Sequence, residues 1–151
     1  MRHFLLAALI VATPAVALAD PVEETIAARR GYFNLVGLEF KPIAAMAKGD
    51  MAYDAEAVKA HAADLLTLTQ YTQGDLMMPG TSVAEAPGKT RSKAEIWTDM
   101  PGYQAKGTAF VEAVIALNAA AAGPQADLGA AVAKLGGTCK DCHDSYRTKD
   151  F

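Results

Sequence analysis

The chain has 151 residues, 52% of them apolar, with 14 Lys and Arg against 17 Asp and Glu and a formal charge of −3. A length of this order suits one domain that buries a core without help. The acidic balance disfavours nucleic acid and anionic membrane surfaces as partners and tolerates a basic protein partner.

Taken in chain order, the N-terminus reads as a cleaved signal peptide. Arg2 and His3 supply a short positive start, residues 4–11 an apolar stretch, and Ala17-Leu18-Ala19 a small-x-small cleavage site. Residues 1–19 are therefore expected to be removed, leaving 20–151 as a single domain that begins at Asp20. Pro14 and the brevity of the apolar stretch argue against a retained membrane anchor, which needs about 20 apolar residues. Export as a soluble protein to a bacterial periplasm follows as the expected localisation.

Beyond Asp20 the apolar residues recur at helical spacing and β-branched runs are absent. The first expected helix covers about 22–48, with Ile26, Phe33, Val36 and Phe40 on one stripe. Pro42 is expected to kink it or to end a first half near Lys41. A second helix starts after Asp54, a good N-cap, and runs to about Thr69; His61 on it reads as a surface residue. From Thr72 to Arg91 the chain carries Gly74, Pro79, Gly80, Pro87 and Gly88, a long irregular connection of the kind that is usually functional or mobile. A third helical region spans about 93–122, interrupted at Pro101-Gly102, and a last helix runs from Ala126 to about Lys149. Four amphipathic helices without strand signals predict an all-α, antiparallel four-helix bundle.

The last helix carries Cys139-Lys140-Asp141-Cys142-His143, the attachment pattern of c-type haem. The thiols add to the porphyrin vinyl groups as thioethers, and the imidazole ligates iron. Residues three and four apart share a helix face, so Cys139, Cys142 and His143 are expected to address one flat molecule. A redox Cys-x-x-Cys pair of the thioredoxin kind would open a helix after a strand, whereas this pair lies near the end of a helical pattern. A structural zinc site wants four ligands, and beyond the signal peptide only His61 remains to join these three. One covalent haem c is the cofactor these residues imply.

At this point the chain resembles the cytochrome c prime family, the class II c-type cytochromes, and within it the purple-bacterial members with a distal phenylalanine. The resemblance rests on haem attachment at the extreme C-terminus, on Ala28-Arg29-Arg30-Gly31-Tyr32-Phe33 as the first-helix motif, and on Lys41-Pro42-Ile43-Ala44 and Ala94-Glu95-Ile96-Trp97 at the expected separations. It implies Cys139 and Cys142 as thioether anchors and His143 as the proximal ligand. Arg29 would meet a haem propionate, with Arg30 sharing that work or lying at the surface. Phe33 would stand over the distal face. Arg147 would lie on the proximal side, where it tunes the iron, or be an ordinary solvated cation favoured by the helix dipole. Thr90, Arg91 or Lys93 would reach the haem edge. A homodimer through the first two helices is also implied.

Electron-carrying cytochromes c commonly fill iron's sixth position with methionine. The family's low-spin relatives draw theirs from the first helix, near the position held here by Phe33, which cannot ligate. The expectation is a five-coordinate haem in an apolar distal pocket that binds nitric oxide and carbon monoxide, nitric oxide displacing His143 and settling on the proximal side by Arg147. One-electron exchange with a periplasmic redox partner is compatible with that site. The alternative is a low-spin, Met-ligated electron carrier. A peroxidase-like enzyme wants a distal His and Arg, and Phe33 in that place argues against it.

Overall fold

In the computed structural model, which describes residues 20–149, the first helix begins where the chain can cap it. Asp20 is the N-cap of α1 (Pro21–Lys48): its Oδ1 accepts the Val22 N–H at 2.9 Å, and Pro21 follows at the first helical position. Gly49 closes the helix with φ +81°, a left-handed conformation that glycine adopts without steric cost. Asp54 caps α2 (Ala55–Leu68) by accepting the Glu56 and Ala57 N–H groups. A four-residue helix α3 (Glu95–Thr98) precedes α4 (Met100–Ala121), and α5 (Gln125–Tyr146) ends the fold. The signal peptide expected over residues 1–19 lies outside the described residues.

The four long helices form the antiparallel bundle that the periodicity predicts. Helix α1 packs on α2 and α5, and α4 packs on α2 and α5. Each contributes a buried stripe that follows the helical period: Ile26, Tyr32, Val36, Ile43 and Met46 from α1; Val58, Ala62 and Leu65 from α2; Ala113, Val114, Leu117 and Ala121 from α4; Leu128, Val132 and Leu135 from α5. Fully burying a Leu or Ile side chain contributes roughly 1.5–3 kcal/mol, so these stripes supply the main favourable term.

Three expectations about boundaries are corrected. Pro42 neither ends nor splits α1, which runs through it. A proline inside a helix costs about 3 kcal/mol, and the burial of Val36 on one side and of Ile43 and Met46 on the other offsets that cost. The break before α4 falls at Asp99 rather than at Pro101-Gly102, because Pro101 sits in the first turn, where its missing N–H is harmless. The last helix stops at Tyr146, since Ser92 and Arg147 pair as an isolated antiparallel bridge and pull the chain into extended form.

The connection from Thr72 to Arg91 is more ordered than its composition suggests. A 3-10 turn over Gln73–Met77 buries Leu76 and Met77, and further on Thr81, Ser82, Ala86 and Thr90 are buried as well. Gly80 and Gly88 provide the two left-handed turns, at φ +85° and +74°. The segment lies against the N-terminal half of α1, the end of the bundle where α2 and α5 finish and α4 starts.

Candidate haem site at one end of the bundle

On α5 the buried stripe continues past Leu135 to Cys139, Cys142 and Tyr146, an unbroken alternation of three and four from Leu128 onward. Both thiols are free, half-buried and packed against the core. His143 follows Cys142 directly, so it projects about 100° round the helix and stands at the exposed flank with Arg147 one turn beyond. The thiols thus face inward and the imidazole faces the rim, a refinement of the single shared face expected from spacing. Next to them Gly136 and Gly137 keep the helix surface clear of side chains.

The electrostatics separate the readings of the thiols. Burial pushes both Cys139 and Cys142 above the usual thiol range, whereas a redox-active Cys-x-x-Cys pair works through a lowered pKa. Among the described residues no group of three or more Cys, His, Asp or Glu comes together as a metal cluster. Loss of hydration lowers the His143 pKa, and the Arg147 and Arg91 cations lower it further, favouring the neutral imidazole that ligation requires. Two protonated inward thiols beside a neutral rim imidazole fit a covalently attached haem.

Across from α5, Phe33 on α1 is 44% exposed despite its ring, and meets Tyr32 edge-on at 5.2 Å. Arg29, one turn earlier, is only 4% exposed. Its guanidinium donates to Leu76 O (3.0 Å), Thr81 Oγ1 (2.8 Å), Thr81 O (2.9 Å) and Thr90 Oγ1 (3.0 Å), and lies 6.0 Å from the Trp97 ring centre. Burial lowers its pKa from the ordinary guanidinium value. Arg30 is exposed. The two arginines therefore divide: Arg29 organises the loop from within, and Arg30 faces outward.

The three loop residues considered for the haem edge are engaged within the protein. Thr90 Oγ1 accepts from Arg29; Arg91 donates to Thr148 O and Lys149 O; Lys93 Nζ donates to Asp144 O and Ser145 O at the end of α5. His61 is not a simple surface residue, since its Nδ1 lies 2.8 Å from Glu39 Oε2 and ties α2 to α1. Sequence reasoning missed Thr81 and Asp99. Both were visible only as ordinary polar residues, because their partners lie 47 or more positions away.

The cytochrome c′ family model matches residues 24–147. A cytochrome c′ of Cereibacter sphaeroides is 58% identical over 149 residues, 99% of each chain. The chain belongs to the cytochrome c′ family. It is accordingly a c-type haem protein, and the solved structures it resembles extend that conclusion to the fold. Cytochrome c′ from Rhodobacter Spheriodes superposes with a TM-score of 0.83 at 60% identity, covering 87% of this chain and 99% of that one. A nitric oxide complex of a variant cytochrome c prime from Alcaligenes xylosoxidans matches with a TM-score of 0.73 at 33% identity, covering 85% and 97%.

Proposed function

We propose that this cytochrome c′ carries a five-coordinate, high-spin haem in the periplasm, binds nitric oxide and carbon monoxide at its open iron, and sequesters nitric oxide. It acts as a binding and electron-transfer protein, not as an enzyme. Cys139 and Cys142 would hold the haem covalently and His143 would supply the proximal nitrogen. When bound, the haem provides an iron centre that takes a diatomic ligand or one electron. Arg29, held within hydrogen-bonding distance of the loop, would meet a propionate at the haem edge, and Arg147 would lend positive charge on the proximal side.

Two features support the reading: Phe33, which would be the first-helix position facing the haem, cannot ligate, and the described methionines are packed elsewhere or lie remote from the cysteines. Met46 is buried in the core, Met77 Sδ accepts the Tyr103 hydroxyl at 3.5 Å, and Met78 Sδ lies 3.9 Å from Thr25 Oγ1. Met51 is exposed at the far end of the bundle, and Met100 packs at the start of α4. An apolar distal side does little for polar bound dioxygen and leaves nitric oxide and carbon monoxide less affected. The relative solved with nitric oxide supports the same ligand here.

Export rests on the N-terminal pattern, and mature chain would start at Asp20, the residue that caps α1. Among the described residues no helix is long and apolar enough to cross a membrane. A homodimer would form through α1 and α2, with the turn between them at its edge. Leu35 and Leu38 are exposed on α1, and Leu38, Pro42, Ala45 and Met51 line a shallow groove remote from the cysteines.

The deciding experiment is the optical and electron paramagnetic resonance spectrum of the haem-loaded protein, ferric and ferrous, with and without nitric oxide. A high-spin signal that converts on adding nitric oxide is the expected result. A low-spin spectrum with a methionine–iron charge-transfer band would overturn it in favour of a Met-ligated electron carrier.

A further inference from the structure

The last turn of α5 is fastened at a point that neither the haem motif nor its neighbours account for. Tyr146, three residues after His143, is buried, and its hydroxyl donates to Asp99 Oδ2 at 2.7 Å. The other oxygen of the same carboxylate accepts the Gly102 N–H at 3.1 Å and so caps α4. One carboxylate thus joins the start of α4 to the end of the haem-bearing helix. The Tyr146 ring meets Tyr103 of α4 edge-on at 5.4 Å, and the Tyr146 carbonyl accepts the Lys93 N–H at 3.0 Å.

Gly102 records how tightly this closes. A Cβ there would fall 2.2 Å from Asp99 Oδ2 and 2.5 Å from the Tyr146 hydroxyl. Its conformation is helical, so the glycine serves close approach and not backbone freedom. Any larger residue would have to displace the hydrogen bond itself.

We infer that Tyr146, Asp99 and Gly102 form a latch that positions His143. The imidazole is on the rim of α5, one turn from the helix end, where hydrogen bonding is weakest and fraying is expected. Anchoring the chain three residues later, from ring, hydroxyl and carbonyl, fixes that turn and hence the direction in which His143 points at the iron. Tyr146 is a positioning residue, as it acts through the backbone of the turn and touches the core face rather than the rim. The inference rests on the assignment of His143 as the iron ligand and is independent of what occupies the opposite side.

The test compares haem-loaded wild type with Tyr146→Phe and Asp99→Asn. Phenylalanine keeps the ring packing and removes the hydroxyl; asparagine keeps a good N-cap and removes the charge that strengthens the bond. The readouts are amide hydrogen exchange across residues 143–147 and the reduction potential, which responds to the orientation of the axial imidazole. The expected outcome is exchange about tenfold faster in that turn, the factor that loss of one hydrogen bond carries locally, with a shifted potential and unchanged exchange in α2. Unchanged exchange and potential would overturn the latch. Faster exchange spread evenly over all four helices with an unchanged potential would reduce it to a general structural contact and also overturn it. Should Tyr146→Phe fail to take up haem, Asp99→Asn decides between these outcomes. A low-spin wild-type spectrum would defeat the open-iron reading while leaving both readouts in force.

Discussion

Replacing Arg29 with methionine tests whether the loop is organised from inside the protein. The substitution keeps a long apolar stem and removes four hydrogen bonds from a guanidinium that is 4% exposed. Hydrogen bonds involving a charged group contribute about 1.5 kcal/mol or more each, a gross loss of about 6 kcal/mol. Burying a cation with no carboxylate among those partners costs a few kcal/mol, which methionine recovers. Thr81 Oγ1 keeps its bond to Met78 O, and Thr90 Oγ1 still accepts from Ser92 N–H, so the uncompensated damage falls on the carbonyls of Leu76 and Thr81. The net expectation is about 3 kcal/mol of lost stability, a fall in Tm on the order of 10 °C for a domain this size. Urea unfolding measures the loss, and limited trypsin digestion at the exposed Lys89 reports on the loop, which should be cut faster. Arg29→Lys, with fewer donors, should lose about half as much. A loss under about 1 kcal/mol with unchanged cleavage in Arg29→Met would refute the reasoning and return Arg29 to the haem edge alone.

Phe33→Ala should raise carbon monoxide affinity about tenfold by clearing the distal face, of the order that one large side chain contributes; an unchanged affinity in a carbon monoxide titration removes Phe33 from the gate. Burial pushes the Tyr103 phenol up to about 12 from 10.0. The folded state therefore holds a proton that the unfolded state has released, and stability should decline as pH rises from about 10 to 12. Tyr103→Phe should flatten that decline in urea unfolding curves taken across this range, and an unaltered slope would show that the phenol does not titrate with folding. Leu38→Glu, at a side chain 61% exposed, should shift sedimentation from dimer to monomer without changing the haem spectrum; a mutant dimer would place the seam elsewhere.

Helix positions and the attachment motif were legible in the sequence because both are local. Spacings of three and four mark the buried stripe of α5 from Leu128 to Tyr146, and Cys139 and Cys142 fall on it by the same arithmetic. Asp54 announced its cap for the same reason. Pro42 misled, since the cost of a proline is local while the burial of Ile43 and Met46 that outweighs it comes from other helices. His61 looked solvated for want of any signal that Glu39 on α1 would face it.

What the sequence by itself determined is an all-α chain, with the Cys139-Lys140-Asp141-Cys142-His143 motif on its last helix and a resemblance to the cytochrome c′ family, because helical period and motif spacing are written along the chain. Tertiary structure alone decided that Arg29 is buried against Thr81 and Thr90, 52 and 61 positions away, and that Asp99 reaches Tyr146, 47 positions away. These contacts follow from which ends of the helices the bundle brings together. Periodicity along one helix carries no information about the partner that another helix, arriving from elsewhere in the chain, will place beside it.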